Sequence, residues 1–120
     1  METRLMAKTL QNATMWQGED KGLVFTVSGT LLTDATAIKW ELSKTLSSAN
    51  LVTKDLTDGV VADSATQCTV TLATTDTDSI NGKHYHELRV TDSTGNEAVV
   101  STGTLDIKIS TTKRDRTMLP

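Results

Sequence analysis

The sequence predicts an all-β protein, an antiparallel β-sandwich of seven to eight strands with one short helical turn. Threonine makes up nearly one residue in five, and it often alternates with apolar residues. Threonine and valine fit a pleated, half-buried surface, and threonine can also face water. Turn residues recur about every 8–12 positions, a spacing typical of two-sheet sandwiches.

The first half of the chain contains five of the predicted strands. They cover residues 10–16, 22–28, 37–43, 51–56 and 60–61. In the third of them, Ile38, Trp40 and Leu42 alternate with polar residues, which predicts that these three side chains face the core. Leu31 and Leu32, in the loop before it, are expected to lie under the sandwich edge. Lys54 and Asp55 mark the fourth as an edge strand.

The second half begins with another alternating strand, residues 67–73, in which Cys68 faces inward with its apolar neighbours. Residues 74–80 break this period. Threonine and aspartate at the start of that segment suit a helix N-terminus, so one helical turn is predicted there.

Two long strands follow, covering residues 83–92 and about 97–109. His84 and His86 lie on the inward face of the first one. In the last strand the apolar residues change from even to odd positions, which predicts a β-bulge at Gly103.

The length of 120 residues indicates one domain, and the aromatic content of 3% indicates a thin aliphatic core centred on Phe25 and Trp40. We expect an N-terminal arm over residues 1–9, the sandwich over residues 10–110 and a C-terminal tail over residues 111–120. Both ends are expected to be flexible.

Charge and composition exclude several function classes. The net charge is −3 and no basic stripe crosses the body of the chain, which argues against nucleic acid as the main partner. No segment approaches the roughly 20 apolar residues of a membrane helix, so no membrane partner is expected. Cys68 is the single cysteine, and residues 1–8 lack a signal-peptide pattern. We therefore expect synthesis and folding in a reducing cytoplasm.

Candidate catalytic and metal sites are sparse. His84 and His86 have a spacing that can bind a metal, with Cys68 on a nearby strand, but a zinc site needs three or four ligands. Two partly buried histidines are the favoured interpretation. Asp76 and Asp78 suit helix capping better than calcium, because the glycine and distant glutamate of a calcium loop are missing. No catalytic triad, phosphate loop or dinucleotide fingerprint is present. We expect no enzyme activity, cofactor, metal or small-molecule substrate.

Partner contacts are predicted at the two ends of the chain. Trp16 either caps the end of the core or is an exposed anchor for a partner. The basic cluster after residue 112 is either a solvated tail or a docking arm. The predicted partner-binding residues are Leu5, Met6, Leu10, Trp16, Arg114, Arg116, Met118 and Leu119.

Several short motifs follow one another in a distinctive order. They are residues 15–20 before the strand 23–27, then residues 37–42, 68–72, 74–78, 82–92 and 102–107. This order resembles the immunoglobulin-like module at the N-terminus of tailed-phage baseplate upper proteins, and related modules of phage head fibres, over roughly residues 14–109. Compared with the opening turn of that family, this chain has an additional residue, Glu19, before the aspartate. The tyrosines of the family's late strand are replaced by His84 and His86.

The resemblance implies a bacteriophage virion structural protein. Such a module would mediate protein–protein assembly as a tail, baseplate or neck connector, or as a capsid decoration. The implied partners are other phage structural proteins and further copies of this chain, and the implied location is the virion after synthesis in the host bacterial cytoplasm. The alternative is a carbohydrate- or host-receptor-binding sandwich, for which only Trp16, Trp40 and Tyr85 are candidates to offer a flat aromatic face.

Overall fold

A computed structural model shows two stacked β-sheets that form an immunoglobulin-like β-sandwich, which confirms the predicted fold class. The structure describes residues 9–27 and 32–109, and of Thr9 and Leu10 only the backbone. Residues 1–8 of the predicted arm and the predicted tail lie outside the described residues.

The described part of the chain has nine strands, a 3-10 turn at Leu32–Asp34 and one short helix. The strands are β1 Thr9–Leu10, β2 Ala13–Trp16, β3 Lys21–Thr26, β4 Ala35–Ser43, β5 Asn50–Asp55, β6 Val60–Ala62, β7 Gln67–Leu72, β8 Gly82–Asp92 and β9 Glu97–Lys108, and the helix is α1 Thr74–Thr77. The prediction of a single first strand over residues 10–16 is wrong, because Gln11 and Asn12 divide it into β1 and β2. Within the described ranges, no helix has the length and apolar character needed to cross a membrane.

The larger sheet has the order β1-β9-β8-β4-β5, and β2 also pairs with β9. The smaller sheet has the order β3-β7-β6. Strands β1 and β2 run parallel to β9, whereas the other pairs are antiparallel. The first two strands of the sandwich therefore pair with its last strand.

The core lies between the sheets and is centred on Phe25 and Trp40, as predicted. Both side chains are fully buried, because strand alternation brings one face of each sheet into the interior. Leu32 is also buried, as expected, and Leu31 lies outside the described residues. The buried aliphatic residues around them are Leu23, Ile38, Leu42, Val70, Leu72, Leu88, Val90, Leu105 and Ile107.

Strand β5 is an edge strand, as predicted, and Lys54 faces inward from it. The Lys54 ammonium lies 3.0 Å from a carboxylate oxygen of Asp76 in α1 and 3.9 Å from one of Asp58. An inward-pointing charge on an edge strand opposes pairing with further strands. The same ion pair fastens the helical turn to the larger sheet.

The change of phase in β9 exists, but its predicted position is wrong. The register shifts between Leu88 and Arg89 of β8, which lie opposite Ser101 and Val99, so the bulge is at Val100 rather than at Gly103. The side chains of Val100 and Ser101 are both buried. Consecutive buried residues at a bulge change the face to which the rest of the strand directs its apolar side chains.

Gly103 has a different role, which is to allow a close backbone approach. A Cβ atom at this position would overlap the carbonyl oxygen of Gln11. Gln11 donates its backbone N–H to the carbonyl of Thr102 at 2.8 Å. Asn12 accepts hydrogen bonds from the backbone N–H and the hydroxyl of Thr104 at 3.0 and 3.2 Å. The break between β1 and β2 therefore sits directly on Gly103.

We predict that Gly103→Ala lowers the free energy of unfolding by about 2–3 kcal/mol, because the added methyl group meets backbone atoms that cannot rotate away. Urea denaturation followed by circular dichroism measures this change. Gly22→Ala is the matched control, since its Cβ would meet only a Thr69 methyl group at 3.6 Å. Equal effects of the two substitutions would contradict the packing described for Gly103.

Candidate functional site

Trp16 is an exposed aromatic side chain on the edge of the larger sheet. Strand β2 alternates, so Met15 is buried and Trp16 is 53% exposed. Of the two interpretations of Trp16, the core cap is therefore wrong, because Met15 fills that end of the core. Trp16 lies opposite Lys108 at the end of β9.

The turn after Trp16 is fixed by contacts with the helical turn α1. Gly18 has a φ of 73°, a left-handed conformation that favours glycine, and its N–H donates to the buried hydroxyl of Thr77 at 3.0 Å. The buried Gln17 side chain donates to the carbonyl of Ile80 at 3.1 Å. Glu19 accepts a hydrogen bond from the backbone N–H of Trp16 at 2.8 Å. These bonds hold Trp16 on rigid backbone.

His86 connects three strands from inside the core. Its Nδ1 atom accepts a hydrogen bond from the indole N–H of Trp40 at 3.3 Å. Indole nitrogen only donates, so the proton of the neutral ring lies on Nε2, which donates to the carbonyl of Gln11 at 2.8 Å. The edge of the Phe25 ring packs against the imidazole, with ring centroids 5.7 Å apart.

The interior keeps His86 neutral. Burial lowers the pKa of His86 below its ordinary value of 6.5, and the hydrogen bond to the Gln11 carbonyl opposes this only in part. A proton added at Nδ1 would also remove the acceptor of the Trp40 N–H. The neutral ring is therefore the form that the folded core accommodates.

Several of the candidate metal ligands have other partners in the structure. Both ring nitrogens of His86 have partners, and His84 Nδ1 lies 3.0 Å from the Gly82 carbonyl oxygen. Burial raises the pKa of the Cys68 thiol to about 11, which disfavours the thiolate that a metal needs. Asp76 accepts the N–H of Ala73 at 2.7 Å, consistent with the predicted capping role. No group of three or more His, Cys, Asp or Glu in the described ranges is placed to hold a metal ion.

The outer face of the larger sheet has a groove of about 410 Å³ that sequence reasoning missed. Strands β4, β8 and β9 form its floor, and the loop between β4 and β5 forms a wall. The described residues that line it are Glu41, Ser43, Leu46, Ser48, Asn50, Tyr85, His86, Glu87, Thr102, Gly103 and Thr104. Alternation within each strand indicates which of its side chains point outward. Only the register between neighbouring strands shows that these outward side chains lie in one groove.

Two carboxylates face each other across this groove floor. Glu41 of β4 lies directly opposite Glu87 of β8. Glu87 forms an ion pair with Arg89 at 2.8 Å, and Arg89 also pairs with Glu97 at 3.3 Å. Glu41 accepts a hydrogen bond from the neutral amide of Asn50 at 2.8 Å. Like charges directly opposite in a sheet are unfavourable, and Arg89 offsets part of the charge of this pair through Glu87.

Among the predicted partner-binding residues, the structure places Trp16 on the surface and the backbone of Leu10 in β1, opposite Thr102. The others lie outside the described residues. These are Leu5, Met6, Arg114, Arg116, Met118 and Leu119.

No protein-family model matches this chain. No curated protein matches it either. Solved structures with a similar fold include fibronectin(III)-like modules of Clostridium thermocellum CbhA, at 9% identity, covering 86% of this chain and 91% of that one with a TM-score of 0.47. The extracellular domains of the voltage-gated sodium channel beta4 subunit match at 12% identity over 85% and 93% of the two chains, with a TM-score of 0.42.

A 2,6-sialyltransferase of Photobacterium sp. JT-ISH-224 also matches, at 12% identity and a TM-score of 0.45 over 86% of this chain. This chain spans only 18% of the sialyltransferase. At these identities the similarities concern the fold alone. None of the three is described as a phage protein.

We predict that stability falls as the pH decreases below about 6.5. The unfolded chain binds a proton on His86 at a higher pH than the folded protein does, so stability rises with pH through this range and is lost as the pH falls. Urea denaturation at a series of pH values between 5 and 7.5 tests this. His86→Gln removes the titrating group, and its pH dependence should be weaker. The same pH dependence in both proteins would contradict the role given to His86.

Proposed function

We propose that this chain is a bacteriophage virion structural protein, a small sandwich module that assembles the particle through contacts with other phage proteins and with further copies of itself. The phage part of this proposal rests on the order of motifs over roughly residues 14–109. The assembly part rests on the fold and on the surfaces that it presents.

The observation that carries the assembly role is the exposure of Trp16. Tryptophan is enriched where proteins bind one another, and this half-exposed side chain leaves apolar area uncovered. The hydrogen bonds of the following turn hold its backbone in place, so a partner would not have to order this segment. Strand β9 ends beside it at Lys108, and Arg114 and Arg116 follow that strand in the sequence.

The proposed role is not catalytic. His84 and His86 are buried, and both ring nitrogens of His86 and the Nδ1 atom of His84 have hydrogen-bond partners within the protein. A general base must reach its substrate, and neither imidazole is placed to do so. The proposed partners are therefore proteins, without a cofactor or small-molecule substrate.

The alternative, a carbohydrate- or host-receptor-binding module, has less support. Trp40 is fully buried, and the Lys83 ammonium lies 5.8 Å from the Tyr85 ring centroid. Trp16 is then the most exposed aromatic surface in the described ranges. A glycan array that shows binding abolished by Trp16→Ala would favour this alternative over assembly.

We predict that particles of the phage that encodes this chain contain it as a regular component. Mass spectrometry of purified particles tests the expectation, with host proteins of similar abundance as the control for carry-over. Absence of the chain from intact particles would overturn the proposed function.

We predict that Trp16→Ala strongly reduces incorporation while lowering the free energy of unfolding by only about 1–2 kcal/mol, because about half of this side chain is exposed in the folded protein. Val61→Ala is the control, since Val61 is exposed on the outer face of the other sheet. Deletion of residues 1–8 tests the contribution of the arm, and deletion of residues 112–120 tests that of the tail, each independently of Trp16. Both deletions leave the described strands intact. Normal incorporation of Trp16→Ala together with both truncations would exclude these surfaces.

A further inference from the structure

We propose that the groove on the outer face of the larger sheet binds the basic segment at residues 113–116 of a second copy of this chain. The inference rests on the proposed assembly function and names one contact through which copies join. The segment contains Lys113, Arg114 and Arg116, interrupted by Asp115.

Charge complementarity is the first support. Among the described residues, the groove lining contains the carboxylates of Glu41 and Glu87 and no lysine or arginine. Arg89 already neutralises Glu87 in part, but it is shared with Glu97, and Glu41 has the neutral amide of Asn50 as its hydrogen-bond partner. A guanidinium group between the two carboxylates would relieve their repulsion and can donate two parallel hydrogen bonds.

Size and apolar content are the second support. A groove of about 410 Å³ is large enough for side chains of a bound segment. Leu46 in the wall is 85% exposed, next to the acidic pair. Met118 and Leu119 lie two and three residues after Arg116, the last residue of the basic cluster. Acidic and apolar groups in the groove thus match basic and apolar groups in the segment.

The arrangement of charges favours the segment of another copy over the chain's own. Strand β9 ends at Lys108, and the groove lies near Thr102 and Thr104 of the same strand. A chain that turned back from Lys108 to its own groove would pass over Lys108 and Lys83, with Asp106 as the acidic residue between them. In the proposed contact the groove of one copy receives the segment of another. Such contacts are head-to-tail, and they close into a ring or continue as a filament.

A charge exchange between full-length chains tests this contact. Arg114→Glu/Arg116→Glu gives an acidic segment and leaves the groove acidic. Glu41→Lys/Glu87→Lys gives a basic groove and leaves the segment basic. Sedimentation velocity at low salt should show self-association of the wild type and at least about tenfold weaker self-association of either variant alone. A mixture of the two variants should regain association, because each groove then meets a segment of opposite charge.

Glu41→Gln/Glu87→Gln removes the groove charge with little change in shape, and it keeps the test valid if the lysine variant does not fold. It too should self-associate at least about tenfold more weakly than the wild type. Raising the salt from about 0.05 to 0.5 M should weaken the wild-type association, because the Debye length shortens. Melting curves of all variants confirm that they are folded.

A wild type that stays monomeric would overturn the inference, and so would self-association that none of these variants weakens. A monomeric wild type that is nevertheless present in purified particles would leave the proposed function standing. If the charge exchange restores association but the chain is absent from purified particles, the groove contact stands and the proposed function is overturned.

Discussion

The carbonyl group of Gln11 is the point on which the rest of the structure depends. It accepts the Nε2 proton of His86, whose Nδ1 atom accepts the indole proton of Trp40. The same stretch of backbone lies against Gly103, where any side chain would overlap it. The Gln11 side chain donates to the carbonyl of Val24 at 2.5 Å, in the other sheet. One residue between two short strands thus joins both sheets and the centre of the core.

This junction explains how a chain with few aromatic residues holds a defined core. Trp40 has one polar side-chain atom and His86 has two, and a buried polar atom without a partner is costly. Their mutual hydrogen bond, together with the Gln11 carbonyl, satisfies these atoms and fixes the position of the N-terminal strands. The candidate surfaces for partners lie outside this junction, at the Trp16 edge and in the groove around Glu41 and Glu87.

Alternation along single strands was enough to predict most of the fold. It placed Ile38, Trp40 and Leu42 in the core and gave both histidines of β8 an inward direction, and the structure agrees. Features that depend on two strands at once were not predictable in this way. The bulge at Val100 and the break at Gln11 follow from pairing with neighbours, and a phase change in one strand does not locate them. Gly103 signalled an unusual position, but its reason is a backbone segment about 90 residues earlier in the chain.

Of the two candidate surfaces, the Trp16 edge could be predicted from the sequence and the groove could not. Trp16 was identified as a candidate from its residue type and position, and its exposure needed the neighbouring Met15 to be placed in the core. The groove could not be predicted from the sequence, because Glu41 and Glu87 are far apart in the chain and become neighbours only through the β4–β8 register. The basic cluster in the tail was visible from the start, whereas a complementary acidic site could be recognised only after the strands were aligned.

The ring nitrogens of His86 offer the most direct test of the central junction. Nitrogen chemical shifts of the histidine rings in a labelled protein at neutral pH distinguish the two neutral tautomers. For His86 we expect a protonated Nε2 with a slowly exchanging proton and an unprotonated Nδ1. A proton on Nδ1, or rapid exchange at Nε2, would show that the Trp40–His86–Gln11 chain does not exist in solution.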